Sequence, residues 1–152
     1  MVKNTKLKFQ HLKGFTLLEV LLVIALLAIL SGISIPVYQS FQFKSDLDLA
    51  TLDVSQSLRR AQILAQSVDG DMSWGVKTES EKITLFKGAS FESRDENLDE
   101  IFNIPANVTF SGLKEVVFTK FSGLPEETGT LDIFSNNNQR SVIINQKGIL
   151  EY

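Results

Sequence analysis

The fold is decided by the stretch Lys13-Gly14-Phe15-Thr16-Leu17-Leu18-Glu19-Val20, which joins a basic leader to a long apolar segment. Four lysines and no acidic residue lie before Phe15. Residues 20–37 are apolar apart from Ser31, Gly32, Ser34 and Pro36. As a helix, residues 15–37 rise about 34 Å at 1.5 Å per residue, which is enough to cross the hydrocarbon core. The positive leader favours a cytoplasmic N-terminus.

Two simpler interpretations of this segment remain open from the residues alone. Residues 1–14 resemble the basic part of an ordinary secretory signal, in which case the apolar run would be removed with it. The run of 18 residues is longer than the apolar part of such signals, and Glu19 stands where they are uninterrupted. The second interpretation is an N-terminal membrane anchor that is never cleaved.

Residues 8–40 closely resemble the N-terminus of the type IV prepilin family, which includes the pseudopilins of type II secretion. The resemblance implies that a membrane peptidase cuts after Gly14 and that the new N-terminus, Phe15, is N-methylated. It also implies a role for Glu19 in filament assembly, and the family has a proline at the position of Pro36. Proline removes a helical hydrogen bond, so we expect a kink at Pro36, where the helix leaves the membrane.

Glu19 is the most informative residue of the segment. A carboxylate at bilayer depth costs roughly 2.5–3.5 kcal/mol on insertion scales, and such residues usually have a function and a partner. Cleavage after Gly14 would create that partner, since an axial shift of one helical turn brings Glu19 level with the Phe15 amine of a neighbouring chain. The alternative is that Glu19 lies at headgroup level and interacts favourably with the helix dipole.

The rest of the chain predicts an α+β domain. Apolar and small residues recur at three- and four-residue spacing up to Val68, which predicts one helix over residues 15–68 that ends at Asp69-Gly70-Asp71. Residues 72–77 and 83–86 predict a hairpin, residues 87–100 a polar loop, and residues 106–110 and 115–121 strands. A turn at residues 122–127, a second hairpin over residues 130–134 and 140–145, and a short final strand complete the order.

These elements predict a pilin-like architecture in which the amphipathic half of a long N-terminal helix packs on an antiparallel β-sheet. The expected organisation is a leader at residues 1–14, a membrane and assembly helix at residues 15–37, and a globular part at residues 38–152. Residues 116–148 also resemble the H-type minor pseudopilins and related minor pilins. We expect the aromatic side chains to lie mainly in the core, with a subunit interface as the alternative; they are Trp74, Phe110, Phe118, Phe121 and Phe134.

Composition restricts the chemistry. A chain that begins at Phe15 retains 11 of the 15 basic and all 18 acidic side chains, a net charge of −7. This charge argues against nonspecific binding of nucleic acid. The chain has no cysteine, and its only histidine is His11 in the leader. We therefore expect no enzymatic activity and no cofactor. Calcium binding by the acidic residues between 92 and 100 remains an alternative to a solvated loop.

The sequence thus predicts a minor pilin or pseudopilin in the inner (cytoplasmic) membrane, with a single pass and a cytoplasmic N-terminus, which later enters an extracytoplasmic filament. The resemblance implies several partners: other pilin subunits, the prepilin peptidase, an inner-membrane assembly platform and membrane lipid. The alternative function is a DNA-uptake receptor pilin, for which Arg59, Arg60, Arg140 and Lys147 are the candidate basic residues.

Overall fold

The computed structural model describes residues 14–67, 71–148 and 150–151, without the side chains of residues 33–37 and 150. Residues 1–13 of the predicted leader, the predicted helix stop at Asp69-Gly70 and Ile149 lie outside these residues. The chain divides into two compact units, residues 1–38 and residues 39–152. The first unit contains the start of helix α1, which runs from Leu17 to Gln66, and the second contains the rest of α1 and all the strands.

Helix α1 has 50 residues, in agreement with the helix predicted over residues 15–68. Within the second unit it buries one stripe at three- and four-residue spacing, and each of the six side chains is at most 1% exposed: Leu47, Ala50, Val54, Leu58, Ala61 and Ala65. Thr51 and Ser55 are also buried, and their hydroxyls donate to the carbonyls of Leu47 and Thr51, each at 2.8 Å. These bonds within the helix allow two polar side chains beside the apolar stripe.

The strands form two four-stranded antiparallel sheets. In the first sheet the order is β3-β2-β1-β5, and in the second it is β4-β6-β7-β8. The strands are β1 Trp74–Glu79, β2 Lys82–Lys87, β3 Glu100–Asn103, β4 Val108–Gly112, β5 Glu115–Phe118, β6 Gly129–Ser135, β7 Asn138–Ile144 and β8 Leu150–Glu151. One core cluster joins the buried stripe of α1 to apolar side chains of both sheets, among them Val76, Ile83, Ile133 and Val142.

The predicted α+β fold class is confirmed, but there are two sheets where one was expected. Both predicted hairpins are present, as β1–β2 and β6–β7. The β6–β7 turn contains Asn136 at φ +53°, a conformation that asparagine tolerates better than most residues. Strand β3 was not predicted, because it is a four-residue edge strand whose sequence, Glu-Ile-Phe-Asn, does not alternate between polar and apolar residues.

The aromatic residues divide between the core and the surface. Trp74, Phe110 and Phe118 are buried, as predicted, and Phe134 is half-buried. The prediction was wrong for Phe121, whose side chain is 64% exposed. Phe121 lies in a tight loop after the end of strand β5. The alternation of side chains within the strand, which places Phe118 in the core, therefore does not apply to Phe121.

A small second layer covers the outer face of the first sheet. The fully buried ring of Phe86 lies over Gly75 on the neighbouring strand, and a Cβ atom at residue 75 would come within 2.4 Å of Phe86 Cζ. The ring of Phe91 meets Phe86 edge-on, with centroids 5.5 Å apart. The guanidinium of Arg94 lies 3.8 Å from the centre of the Phe91 ring. Gly75 therefore provides the space that this layer needs.

Candidate assembly site

The candidate assembly site begins with three residues that precede α1. Gly14 is exposed, and a Cβ atom built there would meet nothing within 4 Å. The Phe15 side chain is 83% exposed. Gly14 and Phe15 are both outside the helix, so the predicted cleavage bond lies in non-helical, accessible chain.

Thr16 caps the helix. Its hydroxyl accepts a hydrogen bond from the Glu19 backbone N–H at 3.2 Å, and its carbonyl accepts one from Val20 N–H at 3.2 Å. A threonine followed three residues later by glutamate is the pattern of a capping box, in which the two residues satisfy free amides of the first turn. The sequence contained this signal at Thr16 and Glu19, but the prediction did not include Thr16.

Glu19 is exposed and occupies the first turn of α1, where its charge interacts favourably with the helix dipole. The structure thus places Phe15 and Glu19 about one turn apart on one chain, the spacing that the predicted pairing between chains requires. The roles of Gly14, Phe15 and Glu19 stay predictions. Pro36 lies within the bounds of α1 among residues whose side chains are not described, so the predicted kink also stays a prediction.

The first turns of α1 are apolar on every side. All the large apolar residues from 17 to 30 are between 47% and 84% exposed; they are Leu17, Leu18, Val20, Leu21, Leu22, Val23, Ile24, Leu26, Leu27, Ile29 and Leu30. A helix that is apolar all round is normally buried in protein or in a bilayer. Among the residues that the structure describes, no helix has a segment both long and apolar enough to span a membrane.

In the second unit, α1 also has apolar side chains on the face opposite its buried stripe. Phe41 is 70% exposed, Ile63 is 62% exposed, and Leu49 and Leu52 lie between them with about half of their surface accessible. At about 100° per residue, Leu49, Leu52 and Ile63 fall within about 60° of one another around the helix axis. We call this set (Phe41, Leu49, Leu52 and Ile63) the outer face of α1.

The acidic loop between β2 and β3 is organised by Arg94. The Arg94 Nε atom donates to Asp99 Oδ2 at 2.8 Å, and a second nitrogen lies 3.5 Å from Glu96. Asp95 accepts from the backbone N–H of Asn97 and caps the short 3₁₀ helix Glu96–Leu98. Asp99 and Glu96 thus both face Arg94, whereas Asp95 faces the 3₁₀ helix. Within the described residues no group of three or more acidic, histidine or cysteine side chains is placed to hold a metal ion.

Glu115 ties this loop to the first sheet. Its carboxylate accepts hydrogen bonds from Lys77 Nζ and from the Phe91 backbone N–H, both at 2.9 Å. Partial burial acts to raise the pKa of Glu115, but these hydrogen bonds and the charge of Lys77 outweigh it, so the pKa lies below its ordinary value of 4.5. The loop that the sequence predicted as solvated is therefore fastened to strand β5 through the Phe91 backbone.

The candidate basic residues for DNA binding are dispersed. Arg60 pairs with Glu100 at 2.7 Å, and Arg140 pairs with Asp48 at 3.1 Å. Because Asp48 and Arg60 are 12 residues apart on α1, the two ion pairs are separated by about 18 Å along the helix. Arg59 and Lys147 are exposed. Each of the two paired arginines faces a carboxylate, so this arrangement does not favour the DNA-receptor alternative.

Comparison with known proteins gives two findings. Residues 11–35 match the family model described as the prokaryotic N-terminal methylation motif. The structure is similar to that of the minor pseudopilin EpsH from the type 2 secretion system of Vibrio cholerae, with a TM-score of 0.52 and 13% sequence identity. The similarity covers 70% of this chain and 94% of EpsH, and at this identity it shows a shared fold. No curated protein matches the chain by sequence.

The two findings differ in extent. The motif match is confined to residues 11–35, whereas the fold similarity extends over 70% of the chain. The chain thus carries the prokaryotic N-terminal methylation motif at residues 11–35 and has a fold similar to that of a minor pseudopilin.

Proposed function

We propose that the chain is a minor structural subunit of a type IV pilus or a type II secretion pseudopilus. In this proposal a prepilin peptidase cuts after Gly14, and the new amino terminus at Phe15 is methylated. The apolar start of α1 holds the subunit in the inner membrane, with the globular part outside the cytoplasm, until an inner-membrane assembly platform passes it into the filament.

The observation that carries this proposal is the methylation motif at residues 11–35, which includes helical turns that are apolar and exposed on all sides. Lipid covers such a surface before assembly, and helices of neighbouring subunits cover it afterwards. Both environments exclude water, so the same apolar side chains are shielded from water in the membrane and in the filament. The outer face of α1 gives the second unit an exposed apolar surface of its own, which is available to other subunits.

Glu19 selects the position of each incoming subunit. Its carboxylate pairs with the Phe15 amine of a neighbour that is displaced by one helical turn. Since the surroundings are apolar, this attraction is screened far less than in water. The subunit acts through assembly and carries no catalytic activity of its own, because after His11 the sequence has neither histidine nor cysteine.

The experiment must separate charge pairing by Glu19 from helix capping by Glu19. Glu19→Gln retains the hydrogen-bonding side chain that suits a capping box but removes the charge. Thr16→Ala does the opposite, because it removes the cap and keeps the charge; Thr16→Ser is its matched control. The measurement is the fraction of processed protein in sheared filaments relative to membranes.

We expect Glu19→Gln, Glu19→Ala and Glu19→Leu to be cleaved and inserted normally but to be depleted from filaments. Glu19→Asp should restore entry in part, because it keeps the charge with a shorter reach. If Glu19→Gln enters filaments as well as the wild type while Thr16→Ala does not, capping is the role of Glu19 and the charge-pairing mechanism is wrong. Absence of the wild-type chain from every filament would refute the proposed function itself.

A further inference from the structure

The loop of residues 119–124, which follows β5, is fastened to the last turns of α1. The Phe121 backbone N–H donates to the Ala65 carbonyl at 3.0 Å, so it satisfies one of the carbonyls left free at the end of a helix. The side-chain amide of Gln62 donates to the Gly123 carbonyl at 3.0 Å. Within the loop, Gly123 N–H donates to the Thr119 carbonyl at 2.9 Å. The loop therefore has a fixed position relative to the helix.

Phe121 has an unfavourable backbone conformation for its side chain. Its φ angle is +67°, in the left-handed region where the Cβ atom of an L-residue approaches the following carbonyl oxygen. Its ring is 64% exposed, so the burial of the ring within this chain offsets little of the free-energy cost of the backbone conformation. Lys120 Nζ lies 5.4 Å from the ring centre, although the same ammonium also pairs with Asp71 at 3.1 Å.

Glycine or asparagine would adopt this backbone conformation with less strain. An exposed phenylalanine at such a position does not serve the stability of the isolated chain. Residues kept in strained conformations by the surrounding structure are concentrated at functional sites, and this outlier is directly observed. The side chain of Phe121 is thus better explained by a contact outside this chain.

The surroundings of Phe121 indicate which contact. Leu124 in the same loop is 46% exposed, and Ile63 on the outer face of α1 is 62% exposed. The loop contacts α1 through Gln66, whose amide lies 3.5 Å from the Ser122 carbonyl, and Gln66 is only about 60° around the helix axis from Ile63. The loop therefore borders the outer face of α1 at its C-terminal end.

We propose that Phe121, with Leu124 and Ile63, docks into an apolar concavity on a neighbouring subunit of the filament. This inference rests on the proposed function. A neighbouring subunit is the occupant because the loop borders the outer face of α1, the exposed apolar surface that the proposed function assigns to contacts between subunits.

The first test compares filament entry with stability for the full chain in detergent. Phe121→Asn and Phe121→Gly relieve the backbone strain, so both are expected to melt at the same temperature as the wild type or higher. Both should enter filaments roughly tenfold less, as expected for loss of an aromatic side chain at the centre of an interface. Ile101→Asn is the matched control, since Ile101 is 58% exposed on the edge strand β3, and this variant should enter normally.

The second test uses Phe121→Cys, which gives a single thiol because the natural chain has no cysteine. A benzophenone maleimide on this thiol should cross-link, in intact filaments, to a protein that mass spectrometry identifies as a filament subunit. Cross-links only to lipid or to proteins outside the filament would overturn the inference. So would normal filament entry of Phe121→Asn, which leaves the proposed function standing, whereas absence of the wild-type chain from filaments refutes both.

Discussion

Gly75→Ala tests whether the close approach of two strands sets the stability of the globular unit. The added Cβ atom would lie 2.4 Å from Phe86 Cζ and 2.9 Å from Phe86 Cε1, and the ring is fully buried with Phe91 against it. Overpacking of this kind costs about 1–3 kcal/mol of unfolding free energy. For a domain of this size the melting temperature should fall by roughly 2–12 °C.

Whether Gly75→Ala lowers or raises the free energy of unfolding decides whether the close approach of Phe86 limits this position. The φ angle of Gly75 is not in the left-handed region, so alanine is conformationally acceptable there, and without a clash it would stabilise the strand by about 0.5–1 kcal/mol. Trp74 is the single tryptophan, is 5% exposed and is adjacent to the substitution. Urea unfolding of the full chain in detergent is therefore followed by Trp74 fluorescence.

Phe86→Leu completes a double-mutant cycle. Leucine removes the ring atoms that the new Cβ would meet, so the cost of Gly75→Ala should shrink in the Phe86→Leu background by an amount comparable to the clash. Equal effects of Gly75→Ala in both backgrounds, or a Gly75→Ala variant at least as stable as the wild type, would refute the packing argument.

Three further predictions concern processing, domain organisation and pH. The intact mass of the chain from native membranes should correspond to a start at Phe15 with an added methyl group; a start at Met1 or after Ser34 would contradict cleavage at Gly14. A chain that begins near Ser40 should be soluble and melt cooperatively by circular dichroism, because the buried stripe of α1 and the strands belong to one unit; a melt without a cooperative transition would contradict this. Because the pKa of Glu115 is lowered on folding, the stability that its hydrogen bonds provide is present above about pH 4.5 and is lost as the pH falls below it. The urea concentration at the midpoint of unfolding should therefore fall less steeply with decreasing pH in Glu115→Gln than in the wild type. An equally steep fall would show that Glu115 does not contribute to the pH dependence of stability.

The features that sequence reasoning recovered are those with a local pattern. The spacing of Leu47, Val54 and Leu58 predicts a helix that buries one face, and α1 does so. The polar turns between apolar runs predict both hairpins, because turn residues and alternation are encoded within a few positions. The motif around Gly14 and Glu19 is equally local, and it corresponds to the matched methylation motif.

The features that were missed depend on contacts between distant residues. Nothing near residues 100–103 indicates a strand, since β3 is defined by its pairing with Lys82–Leu85 on β2. Gly75 resembles any strand glycine until Phe86 is seen above it. The exposure of Phe121 follows from the attachment of its loop to Ala65, which lies 56 residues earlier in the chain. The capping role of Thr16 is different, because its pattern was visible in the sequence.

The order of strands in the two sheets has a consequence for folding during synthesis. Strand β5 belongs to the first sheet, where Gly75 pairs with Val117, but it follows β4, which belongs to the second. Until residue 118 has been made, one side of β1 has no strand partner and presents unpaired backbone groups. By then β4 still awaits β6, so the first sheet can be completed while the second cannot. We expect the first sheet to close only once the chain through β5 has left the ribosome, and the second only once β7 has followed, in folding steps dominated by long-range contacts. A chain stalled between β1 and β5 is therefore the form most exposed to aggregation and proteolysis.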